Sequence, residues 1–152
     1  MTARLMPVKP KKLKINKAFI PLPKDEGDEF FPNGIFEFNI TKMLAFIKEN
    51  PALFPIEEID LEKEATWESQ CLTEATVSKA DVSSPIVLAE ISPERFNVID
   101  GNHRLARARR MGLKRIPAYR VRVKHHQRFL TSERAYHAYV EYWNAKVKEW
   151  GK

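Results

Sequence analysis

Short apolar runs and longer apolar stripes follow one another along the chain, which predicts a protein built from both strands and helices. The short runs have the length of strands and are bounded by turn-forming residues. They predict strands at 35–40, 85–91, 96–99 and 116–123. The first run also fits the start of a helix. Residues 55–70 fit either a short strand or a short helix, and 72–80 predict a short helix.

Three stretches repeat their apolar residues at steps of three and four, which is the period of a helix with one buried face. Thr41 is the predicted N-cap of the first helix. The second helix covers 102–111, and Gly112 follows it where a left-handed C-cap residue is expected. The third begins after Thr131 or Ser132 and is long and amphipathic.

The composition changes near residue 33. Residues 1–33 contain five prolines among lysines and predict an extended arm, whereas 34–152 are predicted to form a single domain. The one cysteine, Cys71, has no partner for an internal disulfide, which fits a reducing compartment. No apolar run has the length of a membrane span and no signal peptide is visible, so we expect a cytoplasmic protein.

The formal net charge of +6 conceals a separation of charge along the sequence. Residues 25–94 carry sixteen acidic against four basic side chains, and 95–152 carry fifteen basic against four acidic ones. From Gly101 to Arg128 there are ten Lys or Arg residues and no acid. Such a stretch attracts phosphates, nucleotides or nucleic acids. Alternatively, the acidic middle lies against the basic end and neutralises it.

Five polar residues in a row, Asp100-Gly101-Asn102-His103-Arg104, join a predicted strand to a predicted helix. Free amides at a helix start attract an anion, and a glycine lets it approach the backbone. Arg104 can grip phosphate oxygens with two parallel hydrogen bonds, and His103 can donate to phosphate or carry a proton. Asp100 can hold a metal bound to nucleotide phosphates or act as a base.

Each residue of this turn also has an ordinary structural role. Asp100 or Asn102 fits a helix N-cap, and Gly101 fits a tight turn. His103 fits a hydrogen bond to a neighbouring strand, and Arg104 fits an ion pair with an acid from the middle of the sequence. Because all five occur together between a strand and a helix, in a basic region, we favour an anion site.

The stretch Val98–Ala108, followed by Met111-Gly112-Leu113 and Ile116-Pro117-Ala118, resembles the ParB/sulfiredoxin superfamily. In that superfamily a strand runs into a Gly-x-x-Arg turn and a short Ala-rich helix, then a glycine and a second strand. Ser84–Leu88 is similar to the strand that precedes the motif, and the resemblance covers 72–123. It implies an α+β fold, a small mixed sheet with flanking helices, here with a C-terminal amphipathic helix.

Three branches of the superfamily imply different chemistry. Sulfiredoxins carry a catalytic cysteine where this sequence has Asn102, which argues against that activity. ParB partition proteins bind CTP phosphates through Gly-Glu-Arg-Arg, and here Asn102-His103 replaces Glu-Arg. Free serine kinases carry Asp-Gly-His-His-Arg, from which only Asn102 departs. That closest resemblance implies phosphotransfer from a nucleotide, with a base from elsewhere, for which Glu74 and Glu90 are candidates.

From the turn and the resemblance together, we predict catalytic roles for Asp100, His103 and Glu90. The residues predicted to bind nucleotide or phosphate are Gly101, Asn102, His103, Arg104, Arg107 and Ser84. The expected cofactor is ATP or ADP, or CTP, with magnesium held through Asp100. A nucleotide or a phosphorylated small molecule is therefore the first predicted partner.

Three functions stay open at this point. The first is a nucleotide-binding enzyme, either a phosphotransferase or a ParB-like nucleotide hydrolase. The second is a nucleic-acid-binding or partition accessory protein, supported by the basic 101–128 stretch, the outward Arg120 and Arg122, and the lysine-rich Lys9–Lys17. The third is a non-catalytic scaffold for protein contacts.

Two further features have ordinary interpretations. The apolar stripe from Tyr136 to Trp150 packs either on the protein's own sheet or across a homodimer through the last helix. His125 and His126, which we predict on a strand, would face opposite sides and so do not predict a metal site.

Overall fold

The computed structural model describes residues 9–33, 36–64 and 72–151, so Ile35 and Cys71 lie outside the described part. The strands are β1 (Phe30–Asn33), β2 (Phe36–Asn39), β3 (Glu57–Asp60), β4 (Ile86–Ser92), β5 (Arg95–Asp100) and β6 (Arg115–Val121). The helices are α1 (Ile40–Glu49), α2 (Leu61–Glu64), α3 (Glu74–Lys79), α4 (Asn102–Arg110), α5 (Val123–His126) and α6 (Glu133–Lys148). A 3₁₀ turn covers Gln127–Phe129.

The main sheet has four strands in the order β3-β6-β4-β5, and β1 pairs with β2 in a separate hairpin. β4 runs parallel to β6, whereas β3 and β5 run antiparallel to their neighbours, so the sheet is mixed. All seven residues of β4 are buried. Because successive side chains of a strand point to opposite faces, β4 contributes to two cores.

The two cores lie on opposite faces of this sheet. On one face, Val87 and Ala89 pack in a core with the apolar stripe of α6. The buried stripe residues are Tyr136, Tyr139, Val140, Trp143 and Val147. On the other face, Ile86 and Leu88 pack with Leu105 of α4. The stripe therefore packs on the protein's own sheet. A homodimer through α6 stays a prediction, and it would have to use the face of α6 that is not buried against the sheet.

The α+β architecture predicted from the sequence is confirmed. β5 runs into α4 at the predicted turn, and Gly112 has the expected left-handed backbone, with φ +71°. Ser132 is the N-cap of α6, and its hydroxyl accepts the Ala135 amide at 3.0 Å. Of the ambiguous stretch 55–70, the described part forms β3 and then α2, and 65–70 lie outside the described residues.

The predicted N-cap of α1 is wrong. The helix begins at Ile40, so Thr41 is already inside it, and the N-cap is Asn39. Asn39 has extended backbone angles, and its Oδ1 accepts the Lys42 amide at 3.0 Å. The hydroxyl of Thr41 instead accepts the Glu29 amide at 2.8 Å, which ties α1 to the preceding segment.

The last predicted strand is also too long, because β6 ends at Val121. The buried carboxylate of Glu90 accepts the Val123 amide at 3.2 Å, so the chain leaves the sheet there. His125 and His126 consequently lie on α5, not on a strand as we predict from the sequence. Among the described residues, no group of three His, Cys, Asp or Glu side chains is arranged to hold a metal ion.

The segment 11–19, which we call the strap, lies along α6. The Asn144 side chain holds the backbone of Leu13 on both sides: Oδ1 accepts its amide at 2.7 Å, and Nδ2 donates to its carbonyl at 2.9 Å. Trp143 Nε1 donates to the carbonyl of Lys11 at 2.9 Å. The domain boundary expected near residue 33 stays a prediction. No helix within the described ranges is long and apolar enough to cross a membrane.

Candidate anion site at the start of helix α4

The turn between β5 and α4 requires glycine. Gly101 has φ +97°, in the left-handed region that side chains disfavour. A β-carbon at this position would lie 2.5 Å from Cγ2 and 3.2 Å from Cα of Ile86. Ile86 is completely buried at the start of the central strand, so it has no room to move. The space that the missing side chain leaves is therefore used by the protein's own strand β4.

The first turn of α4 leaves its amides available. Gly101 is the N-cap and has no side chain to accept them, so neither Asp100 nor Asn102 has that role. The Gly101 carbonyl accepts the Leu105 amide at 2.9 Å. None of the hydrogen bonds among the described residues uses the amides of 102–104. These amides and the helix dipole make a local positive potential.

A cleft of 210 Å³ opens beside these amides. The turn forms one wall, through Ile99, Asp100, Gly101, Asn102 and His103. The residues on the other side are Glu29, Phe30, Phe31, Ile40 and Leu72. Pockets that enclose a whole drug-sized ligand usually measure roughly 300 Å³ or more. This cleft therefore fits a phosphate-bearing part of a ligand, with the remainder outside.

Arg104 is turned away from this cleft. Its Nη1 donates to the Pro85 carbonyl at 2.6 Å, and its Nη2 lies 3.1 Å from the carboxylate of Asp100. It fastens the end of β5 to the segment that enters β4. The two parallel hydrogen bonds to phosphate that we predict for Arg104 would have to come from its remaining N–H groups, on a side chain that does not line the cleft.

The same strands, turn and helix fall within a region that matches a known family. The family model of the ParB N-terminal domain matches residues 46–133. The chain belongs to the ParB N-terminal domain family. No curated protein and no solved structure matches the sequence significantly. The ParB match confirms the superfamily that the turn motif predicts, and the free serine kinase branch stays a prediction.

The ParB domain brings only part of the predicted site together. The predicted residues on the cleft wall are Asp100, Gly101, Asn102 and His103. Glu90 lies farther along β4, opposite Phe96, whereas Asp100 lies opposite Val87. The Glu90 carboxylate is buried, and it accepts the Glu94 amide at 3.0 Å in addition to that of Val123. Its catalytic role stays a prediction without a geometric link to the turn.

Two further predicted phosphate ligands are Ser84, which lies between α3 and β4, and Arg107, whose side chain reaches the same connection from α4. The hydroxyl of Ser84 donates to a carboxylate oxygen of Asp81 at 3.2 Å. Arg107 Nη1 donates to the carbonyls of Ser78 and Ala80, the latter at 3.1 Å. Neither residue lines the cleft, and both hold the connection between α3 and β4 in place.

The cleft residues that are missing from the predicted site include three consecutive ones, Glu29, Phe30 and Phe31. They come from the segment that we predict as an arm. The backbone of Glu29 is fixed on both sides, because its amide donates to Thr41 Oγ1 and its carbonyl accepts the Ile40 amide at 2.9 Å. The sequence signal that could have found them is Asn33-Gly34 between two aromatic runs, which is typical of a hairpin.

Acids from the middle of the chain neutralise part of its basic end. The pairs are Arg110 with Glu74, Arg120 with Glu57 at 3.2 Å, and Arg122 with Glu94 at 3.0 Å and with Glu90 at 3.4 Å. By contrast, no ion pair among the described residues involves the five lysines of 9–17. Positive charge without an acidic partner among the described residues therefore lies on segment 9–17 as well as in the 101–128 stretch.

Proposed function

We propose that this ParB domain binds the phosphate groups of a nucleotide in the cleft at the start of α4. The observation that carries the proposal is the set of unbonded amides of 102–104 beside a cleft that Asn102 and His103 line. Phosphate binds readily at such helix starts, since the amides donate to it and the helix dipole favours its charge. His103 adds a ring nitrogen that can donate to a phosphate oxygen.

Magnesium carried by the nucleotide is compatible with this cleft. Magnesium is usually held by one or two carboxylates together with phosphates and water. Asp100, the predicted ligand, and Glu29 are the two carboxylates on the cleft wall. Bound magnesium would offset the repulsion between these carboxylates and the phosphates.

Phosphate transfer to a small acceptor is a further prediction, which rests on the resemblance to free serine kinases. Such a step needs a carboxylate near the acceptor hydroxyl. Glu74 and Glu90, the bases considered from the sequence, pair with Arg110 and Arg122 away from the cleft. Glu29 is better placed, and a hydrolysis or transfer assay with labelled ATP would measure whether any reaction takes place.

Calorimetric titration with ATP, ADP and CTP, each with magnesium, tests the binding proposal. We expect at least one nucleotide to bind, and His103→Ala to weaken its binding about tenfold, the usual effect of losing one hydrogen bond to a charged group. His137→Ala is the matched control, because His137 is exposed on α6. If the folded wild-type protein binds none of the three nucleotides, the proposal is wrong and the scaffold hypothesis gains.

Nucleic-acid binding is the second candidate function. Membership of the ParB family favours it, and so do the five lysines of 9–17 that have no acidic partner among the described residues. The basic 101–128 stretch supports it less than the sequence suggests, because Arg110, Arg120 and Arg122 are paired with acids.

A further inference from the structure

A second cavity, of 330 Å³, lies on the main sheet away from the turn. Its lining residues are Lys63, Glu94, Phe96, Arg120 and Arg122. Phe96 packs against the core that includes α4, so the cavity lies on the α4 face of the sheet. Phe96 and Asp100 are four positions apart on β5, which corresponds to roughly 13 Å along a strand. The cavity is therefore distinct from the cleft at the start of α4.

The cations of this cavity are held in position by an aromatic ring. The guanidinium carbons of Arg120 and Arg122 lie 4.9 and 5.3 Å from the centroid of the Phe96 ring. Contact between a guanidinium and an aromatic face is attractive and restricts a long side chain that would otherwise be mobile. The two arginines are thus positioned before any ligand arrives.

Two of these cations have unused donors on the cavity. Arg122 employs only its Nη1, which donates to Glu90 at 3.4 Å and to Glu94 at 3.0 Å. No hydrogen bond or ion pair within the described part of the chain uses Arg122 Nε, Arg122 Nη2 or Lys63 Nζ. The Arg122 side chain is 49% exposed, so these donors can reach a ligand from solvent.

Glu94 has a backbone conformation that is unfavourable for its residue type. Its φ is +61°, and it is the one non-glycine residue with positive φ in the described ranges. Such a residue costs conformational energy that glycine would avoid, and such positions concentrate at functional sites. Here the side chain places a carboxylate beside Arg122, where it neutralises part of the positive charge of the cavity.

We propose that this cavity binds a phosphate-bearing small molecule, with Arg122 and Lys63 as its ligands and Glu94 as the counter-ion that the phosphate displaces. A phosphate monoester carries nearly two negative charges at neutral pH and three acceptor oxygens, which suits two cationic donors better than a carboxylate does. The volume of 330 Å³ lies within the range of small-molecule sites. The proposal is independent of nucleotide binding at the turn.

A titration of the full chain with inorganic phosphate, followed by nuclear magnetic resonance, tests the proposal. We expect a saturable shift of the Arg122 Nε–H signal and of the Phe96 amide. The amides of 102–104 report separately on the cleft at α4, so each site has its own signals. Acetate serves as the carboxylate probe, and we expect it to bind at least about fivefold more weakly, because it carries a single charge.

Variants at Glu94 and Lys63 make the test specific. Glu94→Gln removes the counter-ion and should tighten phosphate binding about fivefold. Glu94→Gly removes the same charge and also relieves the backbone strain. An equal increase in affinity in both variants would show that the charge, not the backbone, controls binding. Lys63→Gln breaks no side-chain hydrogen bond or ion pair within the described ranges and should weaken binding. Lys79→Gln, the matched control with the same change of charge outside the cavity, should leave it nearly unchanged.

Three results would overturn the proposal. The first is an Arg122 signal that does not respond while the amides of 102–104 do, which would leave only the site at α4. The second is an equal loss of binding in Lys63→Gln and Lys79→Gln, which would indicate general attraction to a basic protein. The third is acetate binding as tightly as phosphate.

Discussion

Gly101 connects the chemistry of the turn to the packing of the sheet. Its missing side chain lets the start of α4 lie against Ile86, the first residue of the central strand. The position of the α4 amides therefore depends on contact with the most buried strand of the protein. A change at Gly101 is expected to affect folding and anion binding together.

Replacement of Gly101 by alanine should destabilise the fold by about 2–4 kcal/mol, because it combines backbone strain with overpacking. Gly112→Ala is the matched control. Gly112 also has positive φ, but a β-carbon there meets no atom within 4 Å, so only about 1 kcal/mol of strain is expected. Urea unfolding of both variants measures the difference, and equal losses would contradict the role of Ile86.

His126 is buried in a polar cluster on the α6 side of the sheet. Its Nε2 lies 2.6 Å from the Glu90 carbonyl, which can only accept, so this nitrogen donates. The Tyr139 hydroxyl donates to the same carbonyl at 2.6 Å. Nδ1 of His126 has no hydrogen-bond partner among the described residues. Burial lowers the pKa of His126 from 6.5 to about 4, so the ring is neutral in the folded protein.

Stability should consequently fall as the pH falls from 6.5 towards 4. In this window the unfolded chain binds a proton at His126 and the folded protein does not, so acid favours unfolding; the contribution is fully present above pH 6.5. The loss attributable to His126 is about 3 kcal/mol. His126→Gln should flatten the stability profile between these pH values, whereas His137→Gln should not. An unchanged profile for His126→Gln would disprove the assignment.

At the scale of elements, α1 depends on a cap that the sequence pattern did not identify. Asn39 is only 2% exposed. Its Oδ1 caps the helix and its Nδ2 donates to Asp28 at 2.8 Å. That hydrogen bond keeps the pKa of the Asp28 carboxyl below its ordinary value. The cap therefore also joins α1 to the residues before β1.

Asn39→Ala should cost about 1–2 kcal/mol, as the loss of an N-cap usually does. Thr41→Ala, at the cap position predicted from sequence, should cost less, since it removes one exposed hydrogen bond to Glu29. Thermal unfolding followed by circular dichroism compares the two variants. A larger loss for Thr41→Ala would show that our assignment of the cap is mistaken.

The elements that were predicted well are those whose residues carry local signals. β4, β5 and α4 have clear periods, and the polar cluster between them marks the turn. The partners of Arg104 and the position of Glu29 were not predictable, because both depend on which segments meet in three dimensions. The prediction of the α1 cap is wrong for a different reason. Asn39 and Thr41 are both good cap residues, and the pairing of β2 decides at which of them the helix starts.

For the whole molecule, the distribution of charge differs from its distribution along the sequence. Acids from the middle of the chain pair with arginines near its end, whereas Lys9, Lys11, Lys12, Lys14 and Lys17 have no acidic partner among the described residues. These lysines are exposed. A polyanion such as nucleic acid could therefore contact these lysines without displacing an acidic side chain of the described residues.

Replacing those five lysines with glutamine should weaken binding of a short labelled DNA duplex at least tenfold. It should also make the negative slope of log affinity against log salt shallower by about 4. The control variant carries the same charge change at Lys48, Lys79, Lys114, Arg115 and Lys124, which are exposed elsewhere. We expect it to retain most of the affinity in an anisotropy titration. Equal losses in the two variants would place the interaction elsewhere.

The hold of Asn144 on Leu13 joins positions 131 residues apart. During synthesis, Leu13 leaves the ribosome long before the helix that retains it exists. The lysine-rich segment must therefore stay undocked until translation has passed Asn144, and fastening it is one of the last steps of maturation. A nascent chain halted before α6 would keep this segment loose, with its backbone open to proteases that the finished protein excludes.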